Sequence, residues 1–531
     1  MHENSYNNAG YANDDIELEK KDTNEDNNVI TPPIEFARGP DDQIQDRAQW
    51  GNSVEFLMSC IAMNVGLGNI WRFPFIAYDN GGGAFLIPYI LVLLFLGRPM
   101  YYLEMCLGQF CSRGNVKMFE SLAPVLKGVG YGQLIGTICV ATYYCSLMAI
   151  TLFYLINSFT SNLPWSECNP VWDNESFLQN LTCVASKASA SNLNNTISSA
   201  ELWFRIEVLK ESPNINDGIG SPEWRLTLCL LVSWIITFAV CAKGVQTSGK
   251  ASYFLAIFPY VILGALLIRA VTLEGSAKGI LYFVEPKWEM LLNAKLFALL
   301  FFFMLFILGV GSLVALKGCA FTVVMDSFPH LKIWHVSLAT AVGGFLVGLV
   351  YITPGGQWIF TMVDFFGGTF IFYVLTIIEI VSVMWWYGLE NICLDIEYML
   401  KKKPGAYWRI CWCVVIPLIL IIVFFYFLIT LEELTYEKKP YPTNIIVWGW
   451  ALLGFGVIQP LVWLFIEVLR RHKDQGYTEA VKSLFQHDSW GPKDLNKNKR
   501  WQEFKAKAKH VRVLKNRSWI VDKLCILIGK E

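Results

Sequence analysis

The sequence predicts an all-α polytopic membrane protein, and three observations carry that expectation. Of its 531 residues 54% are hydrophobic and 16% charged, with a mean hydropathy of +0.40, a composition suited to lipid more than to water. Apolar stretches of about twenty residues, long enough to cross a bilayer, recur roughly ten times. The first of them is interrupted by glycines and an asparagine within Asn64–Tyr89, NVGLGNIWRFPFIAYDNGGGAFLIPY.

Residues 1–50 are acidic and poor in apolar side chains, which predicts a disordered cytoplasmic tail. Met1 to Gln49 holds no apolar core for a cleavable signal peptide, so the first span must serve as its own insertion signal. The spans run near 54–77, 84–107, 131–157, 224–243, 251–272, 296–316, 334–353, 358–386, 408–430 and 444–469. An even number leaves both termini on one side. From Arg470 onward Lys and Arg are about twice as frequent as Asp and Glu, which makes that side cytoplasmic. Residues 51–471 are thus the transmembrane domain and 472–531 a basic cytoplasmic tail.

The long polar segment 158–222, between the third and fourth spans, then lies outside. It holds Cys168 and Cys183, and acceptor sequons at Asn174, Asn180 and Asn194. Disulfides persist outside the cell, so a Cys168–Cys183 bridge is expected there. Most other cysteines fall in apolar spans or cytosolic segments and read as small buried hydrophobes.

A spanning helix must satisfy its own backbone, because hydrocarbon offers no partner to a free N–H or C=O. A Gly66-Leu67-Gly68-Asn69 break is therefore expected where unpaired backbone lines a cavity and binds something polar. Small residues also allow close helix packing, but packing does not call for Asn69, Arg72 and Gly81 to Gly83 as well. Ionisable residues within the membrane, Arg72, Glu104 and Asp364, are functional candidates because burying them is costly. No H-E-x-x-H, P-loop or nucleophile elbow is present and the six histidines are scattered, so no enzyme is expected. A nucleic-acid partner is not expected either.

The ordered run Asn64–Tyr89 closely resembles the signature of the sodium-coupled neurotransmitter and amino-acid symporters, solute carrier family 6. The resemblance continues through GRPMYYLEMCLGQF, VATYYCSL, LFFFMLFILGVGSLVAL and YITPGGQWIFTMVDFFGG. GRPMYYLEM and LGVGS are worded most like insect sodium-dependent nutrient amino-acid transporters. Coverage runs from about Trp50 to Arg471 with one gap. After YFVEPKWEMLL the family carries a second broken helix, a seventh helix and a long outer loop. Here Lys295 passes straight into LFALLFFFMLF, which resembles the family's eighth helix. Roughly 110 to 130 residues are absent at 295/296, leaving about ten spans where the family has twelve. The resemblance thus implies a LeuT-like inverted-repeat bundle without the family's sixth and seventh helices. Two spans lost together leave every later span in its original orientation.

It also implies a site. The Asn64 carbonyl and the Asn69 side chain would serve one sodium ion. The carbonyls of Ala62, Val65 and Leu308 and the Ser312 hydroxyl would serve a second. Gly311 stands where other members carry a threonine or aspartate, so one ligand is lost there. The substrate pocket would be lined by Asn64, Gly66, Leu67, Gly68, Val140, Tyr144, Ser312 and Leu316. Gly66 replaces the aspartate of monoamine carriers and leaves room for the substrate's own carboxylate, to which Tyr144 would donate. Arg72 and Asp364 would form an outer gate, and Glu104 would brace the broken helices.

Taken alone, the same residues allow other roles. Asn64 could bond a neighbouring helix and Gly311 could mark close packing. Tyr144 could bond locally, and Arg72 and Asp364 could snorkel separately. The implied function is sodium-dependent symport of neutral amino acids across the plasma membrane. The alternative is a transport-inactive isoform, or an incomplete gene model, acting only through oligomers. Sodium is the implied co-transported ion. Chloride is open, since Tyr89 matches one position of the family's chloride site and the others fall in the missing helices.

Overall fold

The computed structural model describes residues 50–80, 82–160, 162–174, 182–185, 196–212, 215–216, 218–272, 295–430, 434–436, 439–487, 489–513 and 518–529. The acidic segment 1–49, the sequons at Asn180 and Asn194, the Asn174 side chain and residues 273–294 before the junction lie outside them. Among the described residues eight helices are long and apolar enough to span a membrane, or ten when two bent pairs count as one span each. Each of the ten expected positions holds one.

The first bent pair is α1 (Ser53–Asn64) and α2 (Gly68–Asp79), inclined at 45°. After α3 (Gly83–Cys111) come a short α4 (Asn115–Leu122), α5 (Lys127–Asn157), α6 (Trp224–Cys241) and α7 (Val245–Val271). Beyond the junction stand α8 (Lys295–Ser327), α9 (Ile333–Tyr351), α10 (Gly356–Leu400) and α11 (Ala406–Ile429). The second bent pair is α12 (Thr443–Val457) and α13 (Gln459–Gln475). The tail forms α14 (Tyr477–Leu484), α15 (Leu495–Val513) and α16 (Trp519–Ile528).

Local chemistry sets the ends that hydropathy leaves vague. Asn52 accepts from the Glu55 N–H at 2.7 Å while the Glu55 carboxylate accepts from the Gly51 N–H at 2.7 Å. This reciprocal cap starts α1. α8 continues to Ser327, past the expected end at 316, and Thr322 and Ser327 return their hydroxyls to their own helix, to the carbonyls of Gly318 and Val323. α10 starts at Gly356, directly after Gly355 donates to the Ile219 carbonyl at 3.0 Å. Asp364 therefore lies two turns inside that span. Gly388, at φ +102°, divides α10 before Leu389, a backbone angle that glycine adopts without a Cβ penalty.

α5 is the central post, packed against α6, α8, α9, α10 and α13. Two apolar clusters flank it. One gathers Leu103, Phe119, Leu122, Ile371 and Leu375; the other gathers Cys145, Met148, Leu226, Leu230 and Leu313. Ala62 belongs to the second and Leu67 to the first. The break in α1–α2 thus carries the chain from one core to the other.

In the long loop, β1 (Thr182–Val184) pairs in parallel with β2 (Thr196–Ser198), and Cys168 is disulfide-bonded to Cys183 with Cα atoms 6.0 Å apart. The basic tail is not a free appendage. Trp490 and Trp501 each donate an indole N–H to the buried Asp395 at 2.9 Å, and Arg409 donates to the Ile526 carbonyl at 2.6 Å.

Candidate functional site

The helix leaves α-geometry at Val65, which is extended at φ −98° and ψ 97°. Leu67 is already helical again at φ −55° and ψ −39°. The opening is therefore Val65–Gly66, one residue earlier than the Gly66–Gly68 expected. It closes quickly because the Asn69 N–H reaches the Gly66 carbonyl at 3.2 Å. The Asn69 amide also donates to the Asn64 carbonyl at 3.0 Å, across the break. The Leu67 N–H, orphaned by the break, donates to the Tyr144 hydroxyl of α5 at 3.1 Å.

α8 faces this opening. A Cβ on Gly311 would stand 2.9 Å from the Ala62 carbonyl oxygen, and one on Gly66 would stand 2.7 Å from the Ser312 hydroxyl and 3.0 Å from that of Tyr144. Glycine at both positions permits this approach of helix to helix. Leu308 is buried and lies one turn before Gly311 and Ser312, on the same helix face. α8 runs unbroken through it, so the Leu308 carbonyl serves its own helix and keeps a second lone pair. Ala62, Ser312 and Tyr144 thus bring neutral oxygens to one small region beside Gly66. α8 does not substitute for a second broken helix.

The other expected ligands are placed differently. Asn64 and Asn69 are exposed. The Asn64 amide donates to the Cys60 carbonyl at 2.7 Å and to the Tyr101 hydroxyl of α3 at 3.0 Å, so it does bond a neighbouring helix. A Cβ on Gly68 would meet nothing within 4 Å. Glu104 is exposed, and among the described residues it makes no hydrogen bond to α1 or α2. One side of the break is packed and the other is bare. Val140 packs with the first core and Leu316 with the second, while Tyr144 touches both. Tyr89 is ring-packed on Phe73 at 4.6 Å.

Arg72 and Asp364 are paired, so separate snorkelling does not describe them. The guanidinium forms an ion pair with the carboxylate, with a second contact from Nη1 at 3.4 Å. Asp364 is 7% exposed and accepts a further hydrogen bond from the Tyr143 hydroxyl at 2.7 Å. Tyr143 was not expected here; its only signal was its place beside Tyr144 in VATYYCSL. Tyr143→Phe removes one donor from a buried carboxylate and is expected to cost about 1–3 kcal/mol. Thermal unfolding in detergent checks this, and an unchanged melting point would show that water replaces the hydroxyl.

Further intramembrane charges escaped the sequence reading, Glu379 and Lys317 among them, although the cost of burying them marks them out. Glu379 of α10 is buried and accepts from Gln133 at 2.6 Å, which in turn accepts from Asn115 at 2.9 Å. Lys317 of α8 is buried, and among the described residues its amine has no hydrogen-bond partner.

The sodium:neurotransmitter symporter family matches residues 47–297 and 293–471. The two stretches meet at the junction where the sequence predicts an absent segment. Sodium-dependent nutrient amino acid transporter 1 of Drosophila ananassae is 41% identical, over 89% of this chain and 93% of the relative. The Drosophila melanogaster protein of the same name is 42% identical, over 87% and 90%. The ananassae alignment is 597 residues long and takes in about 473 of the 531 residues here, so about 124 of its positions hold no residue of this chain. On these matches the chain, an all-helical multi-pass membrane protein, belongs to the sodium:neurotransmitter symporter family.

Proposed function

We propose that this chain serves sodium-coupled symport of neutral amino acids across the plasma membrane, with both termini cytoplasmic, and that it carries one half of the transport site. The observation that supports this most is the convergence of the Ala62 carbonyl and the Ser312 and Tyr144 hydroxyls on the break at Val65–Gly66. Neutral hard oxygens beside an unwound helix suit a sodium ion near the bilayer midplane. The names of the relatives support both the ion and the substrate class.

In this proposal sodium is held by Ala62, Val65, Leu308 and Ser312. The substrate carboxylate meets the N-terminal end of α2, where the helix dipole favours negative charge. The Tyr144 oxygen already accepts from Leu67, so its own proton is free to go to that carboxylate. Gly66 supplies no counter-charge for an amine, which favours a ligand bearing its own carboxylate. The Arg72–Asp364 pair, steadied by Tyr143, closes the outer side. Asn64 and Asn69 hold the other sodium only when something covers their exposed face.

Substrate class is tested by transport in sodium and in choline medium, on a form with the relative's missing segment restored. Saturable uptake is expected for neutral amino acids and not for monoamines. Dopamine or serotonin uptake without amino-acid uptake would overturn the assignment.

A further inference from the structure

Lys317 stands in α8 five residues after Ser312, about 7.5 Å along the helix axis. Its residue surface is 3% exposed, and among the described residues its amine has no hydrogen-bond partner. Two aromatic faces flank it instead, Trp234 of α6 at 5.3 Å and Phe321 of α8 at 5.6 Å. Such faces attract a cation, but they do not neutralise it. The titratable groups near it are the thiols of Cys145 from α5 and Cys241 from α6. Among the described residues it forms no ion pair with a carboxylate of α1, α4, α7 or α9, which also pack against α8. An ammonium buried there without a counter-ion is costly to keep charged.

The same helix presents Gly311 and Ser312 to the Ala62 carbonyl and Gly66. A sodium ion there and an ammonium at Lys317 would be two like charges separated by about 7.5 Å along the helix and about 140° around it, inside protein that screens poorly. We propose that Lys317 is a proton site linked to sodium binding: the ion at the α1–α8 oxygens and the proton on Lys317 exclude each other, so sodium entry releases that proton to water. The inference rests on the sodium site proposed above. Charge balances, one cation arriving as one leaves, and the N–H bond of the ammonium is the only bond broken. The coupling is reciprocal, so a raised proton concentration expels sodium to the same degree. Lys317 touches neither ion nor substrate; it sets the affinity of its neighbours.

The test is sodium binding to the purified full chain in lipid nanodiscs, followed by radiotracer between mildly acidic and alkaline pH. For the unmodified protein the affinity is expected to rise with pH by up to about tenfold per pH unit where Lys317 titrates. Lys317→Gln, without the charge, should bind tightly with a flat profile; Lys317→Arg, which stays charged, should bind weakly with a flat profile. Adding sodium to the unmodified chain in unbuffered solution should release about one proton per ion under this linkage, and adding choline none. That measurement decides the matter alone if Lys317→Gln does not fold. A Lys317→Gln profile as steep as the unmodified one, or sodium binding without proton release, overturns the proton link and leaves the sodium site standing. Absence of sodium binding in every form at every pH removes the sodium site, and the link with it.

Discussion

Expressed alone at the cell surface, the 531-residue chain gives no sodium-dependent amino-acid uptake and no substrate-induced current, and restoring the absent segment after Lys295 recovers both. The expectation follows from what covers the break in α1–α2. On one side Tyr144, Ser312 and Ala62 approach Gly66 and Gly311 so closely that a methyl group would not fit. On the other, Asn64, Asn69 and Glu104 are exposed and Gly68 faces open space. Polar groups left facing hydrocarbon cost several kcal/mol each, so this face calls for a protein partner.

Alternating access in such folds needs two broken helices meeting at the midplane, one from each repeat. α8, the first helix past the junction, runs unbroken from Lys295 to Ser327 and does not supply the second. Ligand-driven closure also depends on contacts that differ between two states, and half of the contacts around the substrate would come from the missing helices. Antibody labelling of an outer-loop tag separates failure to reach the surface from failure to transport. Saturable sodium-coupled uptake by the chain as it stands would refute the half-site account and show that α8 suffices as the partner of the broken helix.

Much of this architecture was legible because one length scale governs it. A run of about twenty apolar residues crosses a bilayer whatever surrounds it, and all ten runs hold membrane-length helices or bent pairs. The break was legible from Gly66, Gly68 and Asn69, since a spanning helix does not carry such a sequence without cause. Its position was not, because Asn69 restarts the helix through bonds to Gly66 and Asn64 that propensity does not encode. Adjacent tyrosines on α5 diverge by about 100° around a helix, so Tyr143 reaches Asp364 while Tyr144 reaches Leu67. Sequence spacing names the pair and not which member faces which partner. The tail anchored at Asp395 through Trp490 and Trp501 is a long-range contact with no local signal. Lys317 and Glu379 were visible in the sequence as charges within apolar runs, but their partners, or lack of them, depend on how α5, α6 and α8 assemble.

Exchanging the charges of Arg72 and Asp364 is expected to restore part of what either single change destroys. Arg72→Asp would set two carboxylates face to face, one of them on the buried Asp364. Asp364→Arg would leave two cations there and take the acceptor from the Tyr143 hydroxyl. Removing one partner of a fully buried pair costs about 3–5 kcal/mol. The Arg72 side chain is 53% exposed, and solvent screening reduces this to about 1–3 kcal/mol for each single change. In the double exchange the pair re-forms with its sign reversed, and the coupling expected between contacting charges is about 0.5–3 kcal/mol. Restoration stays incomplete, because Tyr143 donates to a carboxylate and would face an arginine in the exchanged protein. Adding Tyr143→Phe to the double exchange should therefore cost less than it does in the unmodified chain. Unfolding free energies in detergent measure the cycle on this chain, and uptake by the segment-restored form measures it on transport. Losses that add without coupling in both would mean that Arg72 and Asp364 act independently and that their contact does not close the site.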